Sequence, residues 1–324
     1  MIMSEFKSLT AREMAEALSA VERPLVVMHV NPDGDTVGSG IALVRVLRAL
    51  GKEAPFACAH DIPARLAFLT EGEVRATEEL DSYNAVAIDV ASPKQLGALE
   101  GVIKPHLMID HHEVGIPFAD SFIIGGVSSA AEVLMRIVDE LIAMGKIELT
   151  PDIASAVYAG ISSDTGGFIF SNTTAETMRC AARLIEAGID AADINHALFH
   201  SKSPDQIRAE GYVASNIKTA LDGRIGYVLI PWRIREELAV GFGSFDTAID
   251  VVRSLAGVKV AFVIKENDEG AFRVSLRSVG VDVASIAKSF GGGGHIRAAG
   301  CSILADSIDS AAEMLLDALR KVEI

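Results

Sequence analysis

Apolar and polar positions along this chain alternate between two periods. Short continuous apolar runs at Leu25 to Met28, Ala85 to Ile88 and His106 to Ile109 have the length and branched content of buried strands. Between them Ile41, Val44, Leu47 and Leu50 recur at helical spacing, which predicts a helix over 37–50 stopped by Gly51. A shorter strand is expected over 54–59 and a helix over 62–69. Longer helical patterns cover 129–144 and 152–160, and Ser171-Asn172-Thr173-Thr174 offers an N-cap for a helix over 175–187. Near the start, Thr10-Ala11-Arg12-Glu13 has capping-box spacing ahead of an amphipathic stretch over 14–21. Buried strands alternating with helices predict an α/β domain built on a parallel sheet.

Beyond residue 190 the pattern changes. Residues 191–221 are polar and helical, interrupted by Ser201-Lys202-Ser203-Pro204, and are expected to form a connector. Strands are then predicted over 224–230, 258–264 and 272–276, with a helix over 283–290. The expected organisation is a parallel-sheet domain over 1–190, a helical connector over 191–221, and a smaller α/β domain over 222–324. A chain of 324 residues, half of them hydrophobic, has material for two such cores.

Composition narrows the function. Cys58, Cys180 and Cys301 are odd in number and form no C-x-x-C pair, so neither a disulfide framework nor a zinc knuckle is indicated. With no apolar signal core and no apolar run near the ~20 residues that span a bilayer, a cytoplasmic protein without membrane association is expected. The net charge of -15 argues against electrostatic capture of duplex nucleic acid. That charge is uneven: residues 218–324 carry 13 Lys/Arg against 14 Asp/Glu, leaving 16 against 30 in residues 1–217. An acidic part able to host cations is joined to a nearly neutral one able to present arginines.

The candidate chemistry lies where the predicted strands end. His29-Val30-Asn31-Pro32-Asp33-Gly34-Asp35 follows the first, Asp89 the second and Asp110-His111-His112 the third, while Asp164 follows the helical pattern over 152–160 in a Ser/Thr/Gly-rich turn. In an open parallel sheet the C-terminal strand ends share one edge, so these residues can meet. Each alone has a plainer role as a turn or a helix cap; together they form an oxygen- and nitrogen-rich ligand set without thiolate, suited to Mn²⁺ or Mg²⁺ rather than structural Zn²⁺. Adjacent side chains leaving a strand point apart, so one of His111 and His112 can bind metal while the other faces a substrate, and a neighbouring carboxylate can hold an imidazole tautomer. Farther on, Gly291 to Gly294 lie between an apolar helix and Ala298-Ala299-Gly300-Cys301, a setting that argues against a linker. Their backbone N–H groups can close on a phosphate, with His295, Arg297 and Arg277 adding charge.

In order and context, His29-x-x-x-Asp33-x-Asp35, Asp89, Asp110-His111-His112 and Asp164 resemble the four motifs of the DHH phosphoesterase superfamily. Val274 to Ser278 and Gly291 to Gly300 are similar to the DHH-associated C-terminal domain of the nanoRNase/pAp phosphatase (NrnA) type, so the resemblance covers nearly the whole chain. It implies two divalent cations, Mn²⁺ before Mg²⁺. One is held by His29 and Asp33, the other by Asp35, His111 and Asp164, with Asp89 bridging. Asp110 would orient His111, and His112 would face the phosphate, making Asp89, Asp110 and His112 the catalytic set. Ser275, Arg277, Gly292, Gly293, Gly294, His295 and Arg297 would bind substrate, with the active site in a cleft between the domains. The implied partners are short single-stranded oligonucleotides, linear dinucleotides or 3′-phosphoadenosine 5′-phosphate (pAp), with a homodimer allowed. A RecJ-like single-strand exonuclease would be expected to add basic or aromatic stacking surface, which aromatics at 6% and a single Trp232 do not supply. A manganese pyrophosphatase would replace the glycine-rich segment with a Lys/Arg clamp. A non-catalytic nucleotide sensor would have lost a ligand, and none is lost.

Overall fold

The computed structural model describes residues 6–267, 271–322 and 324. The chain divides into two compact units, up to Ser201 and from Lys202 onward. In the first unit the elements run α1 (Ala11–Ala20), β1 (Pro24–Val27), α2 (Gly34–Ala49), β2 (Phe56–Ala57), α3 (Ala67–Thr70), β3 (Asn84–Ile88), β4 (Pro105–Asp110), β5 (Asp120–Ile123), α4 (Ala130–Ala143), α5 (Pro151–Asp164), α6 (Ala175–Glu186) and α7 (Ala191–Asn195). The five strands form a wholly parallel sheet in the order β2-β1-β3-β4-β5. The strand order reverses between β1 and β3, the switch point at which open α/β sheets place their ligands.

Both sheet faces are covered, which is why the strands read as continuous apolar runs. Val26, Val86 and Ile109 lie in a core with α1, α2, α4 and α5, while Leu25, Val27, Ala85 and Ala87 pack on the other side with Leu96 and Ile103. Three local expectations change. The strand over 54–59 contracts to β2, and 62–69 becomes a 3-10 turn at Ala64–Leu66 running into the single-turn α3. Asp120–Ile123, with only its two central residues buried, forms an edge strand that no apolar run announced. The helix expected over 152–160 continues to Asp164, so that residue ends a helix rather than sitting in the turn after it.

Small residues bring α2 against α5. A Cβ on Gly38 would lie 2.5 Å from Gly160 N and 2.8 Å from Ala156 O, and one on Gly160 would lie 2.6 Å from Ala131 Cβ. The start of α2, with Asp33 and Asp35, is thereby held beside the end of α5, with Asp164.

The second unit runs α8 (Pro204–Ser215), β6 (Lys218–Ala220), β7 (Ile225–Ile230), α9 (Trp232–Leu238), α10 (Ala248–Arg253), β8 (Val260–Glu266), β9 (Phe272–Ser278), α11 (Val283–Ser289), β10 (Gly293–His295), β11 (Ala298–Ile303) and α12 (Ile308–Leu319). Its sheet order is β10-β11-β9-β8-β7-β6, with only β7 and β8 parallel. Phe262, Val274 and Leu276 pack on one face with residues of α11 and α12, and Val228 and Val263 on the other with residues of α8 and α10. Among the described residues no helix is long and apolar enough to cross a membrane.

The α2–α5 contact generates the first prediction. Gly38→Ala places a methyl group into backbone atoms that cannot retreat, so it should lower stability by about 1–3 kcal/mol, read as a fall in the urea midpoint. An unchanged midpoint would mean that the two helices can part without cost.

Candidate metal centre

His29 stands just beyond β1, Asp89 follows β3, Asp110 ends β4 and Asp164 ends α5, so all converge at one end of the first sheet. Asp33 is the N-cap of α2. Its Oδ1 accepts from the backbone N–H groups of Asp35 at 3.1 Å and Thr36 at 3.0 Å, while its Oδ2 lies 3.8 Å from His29 Nε2. Asp35 turns inward, and its Oδ2 and Oδ1 accept from Ala130 N at 2.6 Å and Ala131 N at 3.0 Å, at the start of α4. A helix N-terminus thus holds a buried carboxylate.

Asp89 is the shared member. Its Oδ2 lies 3.5 Å from His29 Nε2, and its Oδ1 lies 3.6 Å from His111 Nε2. His111 Nε2 is also 3.8 Å from Asp35 Oδ2 and 3.8 Å from Asp164 Oδ2. Three sets of candidate ligand atoms therefore lie together among the described residues: His29, Asp33 and Asp89; Asp35, His111 and Asp164; and Asp89, His111 and His112. Separations of 3.5 to 3.8 Å are too long for hydrogen bonds, yet two donors that each sit about 2.1 Å from one cation are separated by roughly 3 to 4 Å.

The electrostatics favour a cation. Burial raises the pKa of Asp35, with the fields of Asp89, Asp164 and Asp33 adding to it. Burial likewise raises Asp164, followed by the charges of Asp33 and Asp89, and the C-terminal end of a helix is itself unfavourable to a carboxylate. Burial opposes ionisation of Asp89 as well, but the contact with His29 and the fields of His111 and His112 hold its pKa below the ordinary value. Its Oδ1 is buried with no hydrogen-bond partner among the described residues. A divalent ion would satisfy that atom and relieve the repulsion among the carboxylates, so the donor set fits the metal the motifs imply.

Asp89 also has a backbone φ of 58°, in the left-handed region that Asp tolerates better than most residues. It caps no helix: the next helical turn, Pro93–Leu99, has Ser92 at its N-cap. The role expected for Asp110 is redirected. Its Oδ1 accepts from His112 Nδ1 at 2.7 Å and from the backbone N–H of His111 at 2.8 Å, whereas the His111 ring turns the other way and places Nδ1 3.4 Å from Val127 O. Asp110 therefore orients His112, not His111, because adjacent side chains leave a strand on opposite sides.

Residues 23–161 match the DHH family, N-terminal domain, and residues 237–321 match the DHHA1 domain. The bifunctional oligoribonuclease and PAP phosphatase NrnA of Thermus thermophilus is 34% identical over 317 residues, covering 96% of this chain and 93% of that protein. The chain belongs to the DHH family. The Bacillus subtilis protein of the same description is 26% identical, with coverage of 94% and 96%. Among solved structures, an exopolyphosphatase-related protein from Bacteroides fragilis superposes with a TM-score of 0.88 at 22% identity, covering 96% of this chain and 95% of that one, and so shares the fold.

In the DHHA1 unit, Ser275 and Arg277 lie on β9 opposite Gly300 and Ala298 of β11, and His295 of β10 pairs with Ala298. Five of the expected substrate residues thus lie on two strands that flank β11: Gly293, Gly294 and His295 on the edge strand β10, and Ser275 and Arg277 on the interior strand β9. Gly292 precedes β10, and Arg297 lies in the turn between β10 and β11. The glycine run is a turn and a strand rather than an open loop. A Cβ on Gly294 would lie 2.5 Å from Ala298 O, and one on Gly292 would lie 2.5 Å from Cys301 Cβ, so these two are required by packing against β11. Of the two glycines in β10, only Gly293 has room for a Cβ.

Sequence reasoning missed the groups that hold the ligands. The Thr36 hydroxyl donates to Asp89 Oδ2, and the N–H groups of Ala130 and Ala131 hold Asp35. Ser129 stands three residues before Glu132, a spacing that can mark a helix start, but nothing in it says which carboxylate the helix faces.

A prediction about His112 follows. Burial opposes its charge, but the hydrogen bond to Asp110 and the fields of Asp110, Asp89 and Asp164 outweigh that and raise its pKa from 6.5 to about 9. A raised folded-state pKa contributes stability that is fully present below pH 6.5 and lost as pH rises through 9. In chelator-stripped protein, imidazole NMR should show His112 titrating near 9, and Asp110→Asn should move it toward 6.5. A His112 titration that Asp110→Asn leaves unmoved would show that the carboxylate does not set its charge.

Proposed function

We propose that the chain is a two-metal phosphoesterase that hydrolyses short oligoribonucleotides and linear dinucleotides to mononucleotides, and pAp to AMP. The observation that carries this is Asp89, whose two carboxylate oxygens face His29 and His111 of separate ligand groups. His29, Asp33 and Asp89 would hold one ion, and Asp35, His111 and Asp164, with Asp89 shared, the other. The oxygen and nitrogen donors favour Mn²⁺, with Mg²⁺ next. Such ions, when bound, supply Lewis-acid stabilisation of the phosphate and activation of water.

The chain's own residues do the rest. His112, with Nδ1 held by Asp110, presents its other ring nitrogen as a proton donor toward a phosphate oxygen or the leaving group. Asp89, kept ionised by its imidazole neighbours, holds the two halves in register. Arg277, Ser275, His295, Arg297 and the backbone of Gly292, Gly293 and Gly294 would grip a phosphate or nucleotide end, so that binding energy remote from the chemistry positions the scissile bond. The substrate class is supported by the 34% identity to a protein described as an oligoribonuclease and PAP phosphatase.

Asp89→Asn keeps the shape of the side chain but removes the shared charge. It should abolish turnover of pAp and of a 5′-phosphorylated dinucleotide with Mn²⁺ while leaving the circular dichroism spectrum intact. Near-normal turnover at saturating Mn²⁺ would remove Asp89 from the centre.

Length selectivity tests the substrate class. A discrete end-binding patch gains little from nucleotides beyond the first few. Longer strands also bring more phosphates to residues 1–217, where 30 Asp/Glu face 16 Lys/Arg. Catalytic efficiency should therefore fall between a dinucleotide and a 20-mer, most steeply at low ionic strength. Equal or faster degradation of the 20-mer would overturn the short-substrate assignment and leave the metal chemistry standing.

A further inference from the structure

Three ligands of one proposed metal group, Asp35, His111 and Asp164, come from separate parts of the chain, yet all are tied to one short backbone segment, residues 127–131. Val127 O lies 3.4 Å from His111 Nδ1, on the side of the ring away from the carboxylates. Ala130 and Ala131 donate their N–H groups to the two oxygens of Asp35. The third tie is Asn172, whose Nδ2 donates to Ser128 O at 3.0 Å and to Asp164 O at 3.0 Å, joining the segment to the end of α5.

The segment is itself pinned from behind. Glu132 is 2% exposed, and its Oε2 accepts from Ser128 Oγ, from Ser128 N at 3.3 Å and from Thr177 Oγ1 at 2.9 Å. In an ordinary capping box this carboxylate would reach back to the N–H of Ser129; here it goes one residue farther and fixes Ser128. A buried carboxylate with these donors, outside every candidate ligand group, is costly unless it holds something in place.

We propose that Asn172 and Glu132 are positioning residues that set the spacing of Asp35, His111 and Asp164, and so govern the affinity of that half of the centre for its ion without touching it. The proposal rests on the two-ion reading. The other group, His29, Asp33 and Asp89, is held instead by the N-cap of α2, the Thr36 hydroxyl and β3, none of which contacts residues 127–131 through these bonds. Loss of the strap should therefore be selective.

The test is Mn²⁺ binding to chelator-stripped full-length protein, followed by calorimetry and by metal content after dialysis against buffered Mn²⁺. Asn172→Ala should weaken one ion by about 10- to 100-fold and leave the other unchanged, and the loss should vanish on an Asp35→Asn background. Glu132→Ala should act in the same way, whereas Glu132→Gln, which keeps an oxygen for Ser128 and Thr177, should restore uptake. That pair carries the test where Asn172→Ala does not fold. Equal weakening of both ions, no weakening of either, or failure of Glu132→Gln to recover what Glu132→Ala loses overturns the proposal. Wild-type protein that takes up no ion overturns the two-ion reading and the proposal with it, and is distinguished from the other failures because it appears before any substitution.

Discussion

The first unit is organised by a repulsion that it does not relieve on its own. Asp33, Asp35, Asp89 and Asp164 are drawn around His29 and His111, and burial pushes Asp35 and Asp164 toward the neutral form. A protein under selection for stability alone would disperse such a cluster. Here the surrounding fold supports it, with backbone N–H groups on Asp33 and Asp35, a hydroxyl on Asp89 and a left-handed backbone at Asp89. Divalent cations are the kind of partner that would turn this cost into binding.

Close helix packing makes the cluster geometrically achievable. Asp35 begins α2 and Asp164 ends α5, and their carboxylates reach the same imidazole because glycines let the two helices approach at backbone distance. The same glycines leave no slack, so a change in the core is felt at the ligands. Stability and chemistry are coupled through one helix pair, and the strap over 127–131 extends that coupling to the start of α4.

In the second unit one motif serves two physical ends. Gly292 and Gly294 are glycine because a side chain would strike β11, whereas Gly293 has open space above it. Arg277 stands on β9, across β11 from the glycine strand; burial lowers its pKa from the usual guanidinium range. It also donates to its neighbour's carbonyl, Leu276 O, at 2.9 Å. A desolvated guanidinium is a strong charge-assisted donor, suited to a phosphate.

The one-dimensional pattern determined the α/β class, the three central strands, the long helices and the carboxylates and imidazoles that gather at one end of the first sheet, because strand burial on both faces and carboxylate-imidazole motifs at strand ends are local properties of the chain. It misjudged elements whose existence depends on neighbours: the edge strand Asp120–Ile123, the contraction at Phe56–Ala57 and the glycine strand Gly293–His295. Tertiary structure alone decided that Asp110 holds His112 rather than His111, that Asp89 faces two imidazoles, and that Ala130, Ala131, Asn172 and Glu132 stand behind the ligands. Asp35 meets Ala130 and Ala131, and Asn172 meets Ser128, far along the chain through hydrogen bonds to backbone atoms. A backbone N–H or C=O has no side-chain signature, so its direction exists only once the helices and strands have packed.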